Sequence, residues 1–209
     1  MALILLDLVV YGQHVLFHTI PLFWCLHKVH HSDTELDVTT GVRFHPGEMG
    51  ISMLIKMGTI IVIGVSPGMV LMFELLLNAT AMFNHSNVRI PLSLDQWLRW
   101  IVVTPDMHRI HHSVLAEETN HNYGFHLSWW DRAFRTYQRQ PSLSHEHMPL
   151  GLEQFRDPAQ LTWLHLLALP FMKEAEYQST NHEAFNTGTH ASPQSYVPKT
   201  VNPEVKVLT

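Results

Sequence analysis

The stretch "MGISMLIKMGTIIVIGVSPGMVLMFELLLNATAMFN", residues 49 to 84, decides how the rest of the chain must be arranged. It is almost continuously apolar and too long for one comfortable membrane span of about 20 residues. "SPG" at 66–68 breaks it near the middle, as Pro and Gly do. The pattern predicts a helical hairpin, 49–65 and 68–84, that either spans a bilayer or dips into one leaflet. Lys56 and Glu74 interrupt the two halves and are expected either to snorkel or to pair inside the bundle. Both ends of such a hairpin emerge on the same side. Whatever precedes residue 49 is therefore returned to whatever follows residue 84.

What flank the hairpin are histidines. "LHKVHHSD" (26–33) places them at 27, 30 and 31, and "MHRIHHSV" (107–114) repeats the same H-x-x-H-H spacing at 108, 111 and 112. Positions i, i+3 and i+4 share one helical face, so each triplet points three imidazoles in one direction. His14 and His18 form an H-x-x-x-H pair in the first apolar segment, and His85 directly follows the hairpin. The chain has 17 histidines, against roughly five expected from ordinary usage. Even at this chain's own histidine frequency, chance placement gives about 0.1 such triplets, not two. Isolated histidines such as His165 and His190 read simply as solvated residues. Neutral imidazole is the commonest biological metal ligand. A tetrahedral metal takes four ligands, so nine candidates (His14, His18, His27, His30, His31, His85, His108, His111 and His112) imply two metal ions sharing one pocket.

Composition agrees with a membrane protein. Charged residues are only 15% and hydrophobic residues 46%. Net charge is −5 with histidine neutral, and there is no basic stripe, which argues against a nucleic-acid partner. The single cysteine, Cys25, excludes a disulfide framework and a thiolate zinc site. Residues 1–26 are apolar without the basic flank or cleavage site of a signal peptide, so a retained membrane helix broken near Pro21 is expected. Its polar residues Asp7, Tyr11, His14 and His18 fall on one stripe. "SLDQWLRWIVV" suits an interfacial helix with Trp97 and Trp100 at headgroup depth. "TPDMHRIHH" opens another helix, with Thr104 as N-cap and Pro105 at its first position. "LTWLHLLALPF" (161–171) reads as a short helix lying on the surface. The expected fold is all-α: membrane helices carrying a helical cap over residues 1–172, followed by a polar tail, 173–209, too poor in apolar residues to pack. Lys28, Arg43, Arg89, Arg99 and Arg109 flank the histidine face, which places that face, and the metal site, on the cytoplasmic side.

Spacing does not choose the metal. Imidazole suits zinc, copper, iron and nickel, and the H-E-x-x-H of zinc proteases is absent. The blocks "DLVVYGQHVLFH", "WCLHKVHHSD", "RFHPGE", "FNHSNVRIP", "TPDMHRIHHS" and "NYGFHLSWWDRAFRTY", in this order, resemble the sterol desaturase or fatty acid hydroxylase superfamily over about residues 5–140. That resemblance implies an integral-membrane, non-heme di-iron enzyme in the endoplasmic reticulum or a bacterial inner membrane. It implies O2-dependent hydroxylation or desaturation of a lipid, whether sterol, fatty acyl chain, carotenoid or ether lipid. Electrons are expected from an external reductase through a cytochrome b5 or ferredoxin. The family's metal histidines carry over onto the same nine positions. Relatives often have one more histidine where Ala81 stands, so His45, His121 and His126 are further candidates. Relatives usually have Gly where Arg135 stands, which puts Arg135 in a tight turn.

Polar neighbours complete the expected site. Asp33, Asn84, Asn87 and Asp106 lie beside candidate ligands and are expected to accept the second imidazole N–H or to serve as ordinary caps. Tyr11, one turn before His14, is either a site residue or an interfacial aromatic. "RFHPGE" reads as an Arg43–Glu48 ion pair near the membrane surface. Two other function classes fit the same histidines: a zinc-dependent membrane hydrolase, and a non-catalytic metal-binding membrane protein.

Overall fold

The computed structural model describes residues 1–157 and 161–172. Among these the protein is helical, with two isolated β-bridges and no strand. The expected polar tail, 173–209, lies outside the described residues.

Prolines set most of the helix starts. Helix α1 runs Ala2–Thr19, and Ile20 leaves helical geometry at φ −95° and ψ 117°. Pro21, whose missing N–H costs nothing at a first position, opens α2, Pro21–His31. Helix α3 begins at Pro46, three residues earlier than the apolar run suggested, because the His45 side chain accepts from the Gly47 N–H and caps it. It ends at Ile63 on Gly64, whose φ of 72° is the left-handed conformation glycine adopts without strain. Pro67 then starts α4, Pro67–Asn84, so the break falls where "SPG" placed it. The remaining helices are short: α5 Leu92–Leu98, α6 Pro105–His111, α7 Ala116–Thr119, α8 Trp129–Ala133 and α9 Trp163–Ala168. Thr104 caps α6 as expected, accepting from the Met107 N–H.

Helices α1 and α3 are each long and apolar enough to cross a membrane. At 18 residues they are about 27 Å long, close to a hydrocarbon core of about 30 Å. Helix α3 leaves Leu54, Ile61 and Val62 more than two-thirds exposed. Such a patch is stable against lipid and costly against water. Where α1, α3 and α4 meet, Leu6, Val10 and Phe73 form a cluster with Ile60, Val65 and Leu77 around it. Inside a bilayer that packing acts through van der Waals contact, because lipid is as apolar as leucine. Lys56 of α3 and Glu74 of α4 pair at 2.7 Å within the bundle.

Buried polar ties organise the cap. Arg99, 2% exposed, pairs with Asp95 at 2.6 Å and donates to the Arg139 carbonyl. The Arg132 guanidinium sits over Trp100 and Tyr137, 4.3 and 3.9 Å from their ring centres. Trp97 and Trp100 remain mostly exposed. Arg135 adopts φ 62°, so the tight turn is real and a residue with a Cβ occupies it. One expectation is overturned: Arg43 pairs with Asp33 at 3.1 Å, not with Glu48. Glu48 is in the first turn of α3 and points inward, where His27 claims it.

Candidate metal centre

The hairpin does what its topology requires. It returns His85 to within 3.2 Å of His30, Nε2 to Nε2. The eight histidines singled out by spacing converge with His85, and the nine divide into two groups: His14, His18, His27, His31 and His111, and His30, His85, His108 and His112. Within each group the candidate nitrogens lie within 4.8 Å of one another. The two triplets are split in complementary ways. The first gives His27 and His31 to one group and His30 to the other; the second gives His111 to one and His108 and His112 to the other. Each triplet therefore serves both groups, which explains why the chain carries two.

Hydrogen bonds fix how several rings face. The Nδ1 of His14 bonds the Tyr123 carbonyl at 2.8 Å, that of His111 the His121 carbonyl at 2.8 Å, and that of His85 the Ala81 carbonyl at 2.6 Å. The Nδ1 of His27 bonds Glu48 Oε1 at 2.7 Å. Carbonyl and carboxylate oxygens have no proton to give, so each Nδ1 donates and each neutral ring has a bare Nε2. The bare nitrogens then face one another. His14 Nε2 is 3.1 Å from that of His27 and 3.0 Å from that of His111. His85 Nε2 is 3.2 Å from that of His30 and 3.1 Å from that of His108. His30 and His108 have no acceptor at Nδ1, but around His14 three lone pairs meet with no proton between them and repel. A cation among them reverses the sign, and cis nitrogens at about 2.1 Å from an octahedral metal are about 3.0 Å apart. His31 and His112 leave both ring nitrogens buried without a partner. The donor set thus fits two metal ions.

Burial keeps these rings neutral and able to coordinate. Desolvation lowers the His111 pKa to about 3, and lowers His85 to about 4. His30, His31, His108 and His112 are held well below their ordinary value, first by desolvation and then by neighbouring imidazoles.

The other sequence candidates lie elsewhere. His45 is a helix cap, with Nε2 on the Leu167 carbonyl. His121 bonds the Glu117 carbonyl through Nδ1 and contributes its own carbonyl to His111. His126 lines a separate cavity with Asp7 and Leu76. None of the three joins either group. Asp33 binds Arg43 and the Thr40 hydroxyl, Asn84 donates to the Phe125 carbonyl, Asn87 accepts from Arg109, and Asp106 faces His145 at 4.0 Å. Tyr11 bonds the Thr136 hydroxyl. No hydrogen bond joins any of these five to the nine imidazoles. Carbonyls at turns and helix ends orient the rings instead.

Sequence reasoning missed several residues that shape the site. Glu48 is the main one, and its signal was a carboxylate in the first turn of an apolar helix. Phe44 stacks on His30 at 4.4 Å between ring centres, and Trp24 covers His18 at 5.0 Å. Asp131 accepts both the Tyr123 and Gly124 N–H groups, which fixes the carbonyl that holds His14. A Cβ at Gly124 would meet Asp131 Oδ2 at 2.6 Å, so glycine permits that approach. Burial raises the Asp131 pKa to about 7 against the pull of those donors. A cavity of about 210 Å³ adjoins the five-histidine group through His14 and His27. It opens between α1, α3 and α4 and reaches from His14 and His27 to Lys56 and Glu74, past Leu77 and Phe125.

A helical chain with candidate membrane helices, two buried imidazole groups able to hold metal and an adjoining cavity has the features of a membrane protein built to bind metal. The fatty acid hydroxylase family matches residues 1–136, and the chain belongs to it. It is 28% identical over 144 residues to the ornithine lipid hydroxylase OlsE of Rhizobium tropici, covering 68% of this chain and 42% of that protein. It is 29% identical over 128 residues to an alkylglycerol monooxygenase of Xenopus tropicalis, covering 61% of this chain and 27% of that protein. The chain thus spans less than half the length of both relatives. No solved structure matches it.

Proposed function

We propose that this chain is an integral-membrane, O2-dependent di-iron hydroxylase that inserts oxygen into a lipid C–H bond. The observation that carries the reading is the convergence of nine imidazoles, in two metal-sized groups, at the end of a cavity within the apolar bundle. The nine are His14, His18, His27, His31 and His111 for one iron, and His30, His85, His108 and His112 for the other. Iron held there supplies the redox chemistry that activates O2. Overall, the lipid C–H, O2, two electrons and two protons give an alcohol and water.

The chain's own residues do the rest. Glu48, Tyr123, Ala81 and His121 fix ring orientation by accepting Nδ1–H. Glu48 also adds negative charge behind one ring, which strengthens His27 as a ligand. Phe17, Phe44 and Phe125 line the cavity and keep water from the reacting carbon. The electrons come from an external carrier, a cytochrome b5 or ferredoxin with its reductase. Lys28, Arg43, Arg89 and Arg109 favour a cytoplasmic position for the site. Two relatives that act on ornithine lipid and alkylglycerol support a lipid substrate and hydroxylation over desaturation.

The test is expression with isotopically labelled O2 and mass analysis of the host's lipids. A hydroxylated lipid carrying the label, absent with His111→Ala, is expected. Stoichiometric zinc in the purified chain, with no oxygen incorporated, would contradict the reading.

A further inference from the structure

We infer that the Lys56–Glu74 pair is a substrate-binding subsite for a neutral polar group, such as a hydroxyl, ester or amide, on the lipid that enters the cavity. The inference deepens the proposed function and rests on it. Two charges in the middle of an apolar hairpin are expensive, and an apolar pair of similar volume usually packs as well or better. Here the pair lies on the wall of the cavity that leads to His14 and His27. Lys56 is 8% exposed and gives one N–H to Glu74 Oε1 at 2.7 Å. An ammonium has three such donors, so two stay available. Glu74 is more open, at 36% side-chain exposure, and offers a second oxygen. Together they present a donor and an acceptor with no net charge, which suits a neutral polar group better than an ion.

The polar lining continues toward the metal groups. Glu48, Ser52 and Lys56 are spaced four apart and form one stripe along α3, all on the cavity. Gln13 of α1 donates to Ser52 at 2.9 Å across it. From Glu48 to Lys56 the helix rises about 12 Å, at about 1.5 Å per residue. An extended chain covers that distance in about ten bonds, at roughly 1.2 Å per bond. A lipid whose polar group meets the pair therefore extends its tail toward the Glu48 end of the cavity, where His14 and His27 lie.

The test presents the purified full chain in zwitterionic nanodiscs with equal amounts of 1-octadecanol and octadecane and reads the retained lipid by native mass spectrometry. The alcohol should be retained about tenfold in preference, the ratio expected for one hydrogen bond to a charged group. The double variant Lys56→Met with Glu74→Leu should lose the preference, to about twofold or less, while its melting temperature holds or rises. The charge-swapped Lys56→Glu with Glu74→Lys should keep it. Equal retention of both lipids by the unmodified chain, or an undiminished preference in the Met–Leu variant, would overturn the subsite. Equal retention accompanied by labelled hydroxylation in the oxygen-isotope experiment would overturn the subsite and leave the hydroxylase reading standing. Retention of neither lipid would overturn the subsite, and the oxygen-isotope experiment alone decides the hydroxylase reading.

Discussion

Replacing Glu48 by Gln should weaken one metal site and spare the other. Glu48 touches only one of the nine imidazoles, His27, through a buried bond of 2.7 Å with both side chains at most 5% exposed. Glutamine keeps the shape and an accepting oxygen, so the His27 ring should hold its orientation. What is lost is the charge behind it. A charge-assisted hydrogen bond is worth about 1 kcal/mol more than a neutral one, which is five- to tenfold in affinity. Removing the acceptor altogether, as Glu48→Ala, also strands a buried N–H and should cost 10- to 100-fold. His27 belongs to the five-histidine group, whereas no hydrogen bond joins Glu48 to His30, His85, His108 or His112. Competition with a chromophoric chelator should therefore resolve one weakened and one unchanged metal per chain. Equal weakening of both, or no change in either, would refute the orienting role assigned to Glu48.

Other consequences can be measured as directly. Arg135 holds φ 62°, a conformation that costs a residue with a Cβ about 1 kcal/mol, so Arg135→Gly should raise thermal stability slightly; a fall would show that its side chain contributes more than the strain costs. Metal-free protein should lose stability as pH falls. The buried histidines have folded pKa values below their unfolded value of 6.5, so their contribution is complete above that pH and is lost on acidification toward about 3 for His111 and about 4 for His85. At pH 5 each such ring costs about 2 kcal/mol, which urea titration at pH 7 and pH 5 would reveal; a flat profile would contradict neutral burial. Asp131→Ala removes the acceptor for two N–H groups beneath the Tyr123 carbonyl and should cost about 2–4 kcal/mol, measurable as a lowered melting temperature.

The sequence made the architecture legible because its punctuation is physical. Pro21, Pro46, Pro67 and Pro105 each begin a helix, and the hairpin tip lies at "SPG". Eight of the nine histidines were legible because i, i+3, i+4 spacing is one helical face, and His85 because it follows the hairpin. Their partition was not. Which ring joins which group depends on how α2 and α6 cross, and no local pattern encodes that. Carboxylate and amide neighbours in sequence also misled. Asp33 and Asp106 sit near histidines in sequence yet turn to Arg43 and His145: Asp33 lies past the end of α2, and Asp106 is two residues before His108, about 200° round α6. Three of the oxygens that orient the rings are backbone carbonyls, of Tyr123, Ala81 and His121, and every residue has one. Glu48 was misassigned to Arg43 because both lie in one short motif, but the first turn of α3 aims it at His27.

Metal content of the purified chain and of two single variants bears most directly on the central claim. His111→Ala removes a nitrogen from the five-histidine group, and His108→Ala removes one from the four-histidine group. The account predicts two irons per unmodified chain, and in each variant preferential loss of the metal from the altered group, with distinct residual spectra. One metal per chain, or identical spectra for the two variants, would contradict the assignment of nine histidines to two separate ions.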